Sequence, residues 1–148
     1  MEYLLYRSLL YVHILSAIVS IGPFFILFPV LKKLKLTTQT EQINAYLDTF
    51  RFAVYFAKHS GHILVGSGIL LVLAGPWTWT TPWIVITLLI LLGSLVFLAR
   101  AFSPTLRKFQ EGVIGKETMI LKLSQAVWIY LILLLIMLWF MVGKPMLW

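Results

Sequence analysis

A chain of 148 residues that is 61% hydrophobic and only 11% charged, with a mean hydropathy of +0.96, is too apolar for a water-soluble domain of its length. The net charge of +7 would suit nucleic acid if it formed an exposed basic surface, but the basic residues flank apolar runs, so no nucleic-acid partner is expected. The lack of cysteine excludes disulfides, thiolate zinc sites, iron–sulfur clusters and cysteine-anchored c-type haem.

Residues 8–31 carry no formal charge and are long enough to cross a ~30 Å hydrocarbon core with some tilt. This first expected span contains Pro23 and Pro29, which membrane helices tolerate where neighbouring groups satisfy the freed carbonyls. The N-terminal segment before it is not basic overall, since Glu2 offsets Arg7, its apolar run is long and no small-residue cleavage pattern follows, so it is expected to remain as a helix rather than act as a cleaved signal. Thr38-Gln39-Thr40-Glu41 fits a capping box, and Ile43, Leu47, Phe50 and Val54 follow at helical spacing. The second helix should therefore start before the membrane and protrude from it. Its span is read as 52–74, ending at Gly75-Pro76, and Trp77 and Trp79 mark an interfacial turn. The third span is read as 83–101. Ser103-Pro104 then opens a short surface helix with Leu106 and Phe109, ending near Gly112. The fourth span, 123–142, is followed by Gly143 and Pro145.

The whole chain, residues 1–148, thus reads as a single all-α transmembrane domain, an integral membrane four-helix bundle. Lys32, Lys33, Lys35, Arg51, Arg100, Arg107, Lys108, Lys116 and Lys122 flank two connections on one side, and Lys58 is counted with them near a helix end. Only Arg7 and Lys144 remain for the other side. The positive-inside rule then puts both termini outside a multi-pass protein of the inner (plasma) membrane.

All three histidines fall in the first two spans, where a polar side chain needs a partner, a ligand or a place inside the bundle. His13 shares its face with the small residues Ser16, Ala17 and Ser20, which would admit either a flat porphyrin or a neighbouring helix. His62 lies ~15 Å into its span by helical rise, and Gly66 one turn on leaves room for a macrocycle edge or for close packing. The leading expectation is a haem b held by His13 and His62 as axial ligands, with His59 as the alternate. Arg7 would meet the propionates at the outer surface. Arg51 and Lys58 offer the same at the inner surface, although snorkelling to lipid phosphates also accounts for them. Glu2, Glu41, Asp48, Glu111 and Glu117 all lie outside the spans, which argues against carboxylate-bridged metals and intramembrane carboxylate relays.

Copper is the alternative cofactor, using the histidines with Met137, Met141 and Met146, although methionine also fills packing gaps. A third reading is a cofactor-free assembly subunit whose histidines bond between helices. No phosphate loop or nucleophile–base pair accompanies any of these.

The run Tyr11-Val12-His13-Ile14-Leu15-Ser16-Ala17-Ile18-Val19-Ser20-Ile21-Gly22, followed by apolar residues and a basic loop, resembles the first helix of small four-span bacterial membrane proteins. These include the HemJ-type protoporphyrinogen oxidases and the CopD membrane domain. The resemblance implies b-type haem with the first-helix histidine as an axial ligand, and electron transfer to quinone or oxygen. HemJ-like proteins also use a lysine on their third helix, and residues 83–99 contain none. The resemblance therefore implies haem binding more than porphyrinogen oxidation. A haem-dependent membrane oxidoreductase follows if one coordination position is open. A homodimer is suggested because four helices are few to enclose a porphyrin.

Overall fold

The computed structural model describes residues 1–148 as five helices with no strand: α1 (Glu2–Leu36), α2 (Thr40–Ala74), α3 (Pro82–Ala101), α4 (Ser103–Gln110) and α5 (Lys116–Gly143). α1, α2, α5 and the combined α3–α4 segment are long and apolar enough to cross a membrane. α1 continues through Pro23 and Pro29, so only the Val19 and Phe25 carbonyls lose their usual partners. α2 begins well before its apolar stretch, as its helical spacing suggests. Its N-terminus differs in detail: Gln39 is the N-cap with no side-chain bond to the backbone, and Thr37 Oγ1 donates instead to Gln42 Oε1 at 2.5 Å. Lys116 Nζ donates to the Thr37 carbonyl, setting a cation at the C-terminal end of α1, where the helix dipole favours it.

α3 starts with Pro82 in its first turn, a position where no amide hydrogen is needed. α4 buries Leu106 and Thr105, so it is tucked against the bundle end and not only resting on a surface. Gly112, at φ +74°, gives the left-handed turn that ends this helix without a Cβ clash.

Tyr6 lies against Gly75, and His13 against Gly68, which fixes α1 and α2 as an antiparallel pair. Trp148 Nε1 donates to the Thr80 carbonyl at 2.9 Å, so both termini and the α2–α3 turn share one end of the bundle. The α1–α2 turn, α4 and most basic residues form the other end. Packing differs between these halves. In the basic half, Phe24 stacks on Tyr130 with centroids 4.4 Å apart and meets Phe102 edge-on at 5.7 Å. Leu27, Leu34, Leu47, Phe50, Met119 and Leu123 are fully buried around them. Leu15, Ile26, Leu89 and Trp139 point outward, as lipid-facing side chains do.

Lipid is as apolar as leucine, so this core is held by van der Waals fit more than by exclusion of water. Phe24→Ala should therefore lower stability by about 3 kcal/mol, measured as reversible unfolding in mixed micelles. A loss below 1 kcal/mol would show that the aromatic cluster does not hold the basic half.

Candidate functional site

In the terminal half the helices separate around a cavity of about 720 Å³ bounded by α1, α2, α3 and α5, within the size range of small-molecule and cofactor sites. Leu10, Ile14, Leu64 and Leu88 line its sides, Trp77, Trp79 and Trp83 line it near the terminal end, and its polar lining includes His13, Thr87 and Lys144. Trp83 Nε1 and Thr87 Oγ1 are buried without a hydrogen-bond partner.

His13 is the only histidine on this wall. Its Nδ1 is 3.0 Å from Ser67 Oγ, and Ser67 Oγ is 2.7 Å from the Ile63 carbonyl. A carbonyl can only accept, so the serine proton goes to Ile63 and the serine oxygen accepts from His13 Nδ1–H. The ring is thereby held in the tautomer whose Nε2 lone pair is free, the form a metal ligand requires. Gly68 makes the seat possible. A Cβ there would lie 3.1 Å from His13 Cε1 and 3.6 Å from Nδ1, tighter than ordinary packing allows.

The expected meeting of His13 and His62 does not occur within one chain. Ser67, Leu64, Ser60 and Ala57 form the buried face of α2, whereas His59 and His62 are exposed on the opposite face. Their rings are 6.5 Å apart, and His59 Nδ1 donates to the Tyr55 carbonyl at 2.9 Å. Gly66 also faces outward with nothing near it, so Gly68 has the role that spacing assigned to Gly66. Helical faces explain the change, since two residues' displacement rotates a side chain by about 200°. Arg7 stacks over Tyr3 at 4.5 Å and does not line the cavity. Lys144 supplies the cation instead, with Nζ 5.1 Å from the Trp77 centroid and 5.6 Å from Trp83.

Lys144 takes a left-handed conformation, φ 45°, as the C-cap of α5. The sequence marks the helix end with Gly143 and Pro145 but does not show that the turn folds Lys144 toward the cavity. The methionines separate too: Met137 is fully buried, Met146 is exposed, and only Met141 lines the cavity with His13. No three His, Asp or Glu side chains converge on one point.

Compared with protein families, curated proteins and solved structures, the chain has no match.

Proposed function

We propose that this protein is a b-type haem-binding membrane protein with a redox or electron-transfer role, and that the haem occupies the terminal-end cavity. The observation that carries the proposal is His13, an imidazole oriented by Ser67 on the wall of an apolar cavity. The residues fit a porphyrin in three respects. The volume is adequate, the lining is mostly hydrophobic, and Lys144 provides a cation for a propionate.

Haem, when bound, supplies one-electron chemistry at its iron. His13 Nε2 would hold the iron from the α1 side, with Ser67 fixing the ring. The apolar wall and the indoles of Trp77 and Trp83 would limit access by water. His62 does not reach this cavity, so a further protein ligand to the iron would not be an imidazole of the same chain. Met141 is the other lining side chain with a soft donor. A membrane quinone or another redox protein would exchange electrons with the site. By the positive-inside rule this site would lie in the outer half of the plasma membrane, with both termini outside.

The test is to purify the protein in detergent after expression with ample haem, and to measure its iron content and its oxidised and dithionite-reduced spectra. One iron per chain and a b-type reduced spectrum are expected. A colourless, iron-free, folded protein would sink the proposal. Copper without porphyrin absorbance would replace it with the copper reading.

A further inference from the structure

Two polar groups on the cavity wall have no use in holding iron. Trp83 Nε1 and Thr87 Oγ1 are buried with no hydrogen-bond partner, and both residues line the cavity. They stand one turn apart on the same face of α3. Other buried hydroxyls in this protein turn their proton to their own helix: Ser60, Ser67 and Thr105 each donate to the carbonyl four residues back. Thr87, only 5% exposed, does not. An indole N–H can only donate, and a buried donor without an acceptor is costly. What these two groups lack is an acceptor atom inside the cavity.

The pair lies apart from His13. α1 and α3 each pack on α2 and α5 and so stand at diagonal corners of the bundle. Gly68 seats the His13 ring and Gly61 lies against Leu95, so on the antiparallel α2 and α3 helices Gly68 is level with about Leu88. The contact of Phe24 with Phe102 gives the same register to within a turn. Thr87 is therefore about one turn or less from the level of His13, on the opposite wall, and Trp83 is a turn nearer the terminal end. His13 Nε2 offers a lone pair whereas Trp83 and Thr87 offer protons, so the two walls suit different partners.

The cavity is also open to the bilayer. Ile14, Ile18 and Phe25 on α1 and Leu135 and Leu138 on α5 line it and are exposed as well. In the basic half the same helices close on each other through Phe24 with Tyr130 and Phe28 with Trp128. The gap is thus confined to the terminal half, where a molecule dissolved in lipid can enter sideways.

We infer that Trp83 and Thr87 form a subsite for a carbonyl oxygen of a lipid-soluble molecule of quinone type that enters between α1 and α5. A carbonyl oxygen has two lone pairs and no proton, which matches two donors one turn apart. A carboxylate would be drawn to Lys144 near the terminal end, whereas a neutral oxygen can go deeper among apolar side chains at less cost. The inference rests on the redox reading only for the choice of a quinone over other lipid-soluble carbonyl compounds.

The test compares duroquinone with durene, which has the same methylated ring and no oxygen, by calorimetric titration of the oxidised protein purified in detergent. Duroquinone should bind about tenfold more tightly. Thr87→Val and Trp83→Phe should each weaken duroquinone binding about fivefold, as loss of one hydrogen bond does, and leave durene binding unchanged. Thr87→Ser should keep the preference. Equal binding of the two probes overturns the inference, as does a preference that survives both Thr87→Val and Trp83→Phe. A variant that loses both probes in proportion also overturns it, because packing alone would do that. Haem content read in the same samples separates the two proposals: a carbonyl preference in iron-free protein supports the subsite and sinks the haem reading, and haem without that preference does the reverse.

Discussion

His13→Ala is expected to abolish haem binding, whereas His62→Ala should leave the spectrum and iron content of the purified protein unchanged. The two histidines look alike in the sequence, each being a lone imidazole within an apolar span. They differ in what surrounds them. His13 lies against α2 with Nδ1 fixed by Ser67 and lines the cavity. His62 is exposed on the far face of α2. Removing His13 takes away the only imidazole on the cavity wall and leaves Ser67 with its bond to Ile63, so the helix pair itself should persist. The measurement is the reduced-minus-oxidised difference spectrum per milligram of folded protein for each variant, with loss of at least nine-tenths of the signal expected for His13→Ala. Loss on His62→Ala with retention on His13→Ala would place the cofactor on the outward α2 face and invert the assignment.

The second large effect is expected at a glycine. Gly68→Leu should displace the His13 ring and reduce haem occupancy by at least about tenfold, the size of effect seen when groups that orient a metal ligand are lost. Gly66→Leu should leave occupancy unchanged. A Cβ at position 68 already crowds Cε1 of the imidazole at 3.1 Å, and the rest of a leucine would occupy the ring's place or enter the cavity. At position 66 no atom lies within 4 Å of an added Cβ. Both changes replace glycine with a better helix former, so loss of helix is not expected from either, and circular dichroism should confirm comparable folding. Equal occupancy in the two variants would show that the ring seat does not depend on Gly68.

The two predictions also separate what can be read along the chain from what cannot. Four apolar stretches, the turn at Gly75-Pro76, the first-turn prolines at 82 and 104 and the gathering of basic residues at one end are all local signals. They depend on the length a helix needs to cross hydrocarbon, on proline's missing amide hydrogen and on the cost of burying charge, none of which involves a distant residue. The cluster of Phe24, Phe102 and Tyr130 shows where that local information stops, because nothing in the sequence around any one of them points to the other two.

In a soluble bundle the inner face of a helix stands out because the outer face is polar. Here lipid and core are both apolar, so α1 and α5 show almost no contrast between their faces, and Leu15 and Leu27 look the same although one is exposed and the other fully buried. By itself, then, the sequence determined a multi-pass, four-span helical protein and placed His13 among its candidate ligands. Only the tertiary structure decided that His13 faces the cavity while His59, His62 and Gly66 face away, that Gly68 seats the His13 ring and Lys144, not Arg7, lines the cavity, and that Lys58 lies on the exposed face midway along α2. The physical reason is that side-chain direction within a membrane is set by helix rotation and register, and those are fixed by packing against other helices and not by contrast with water.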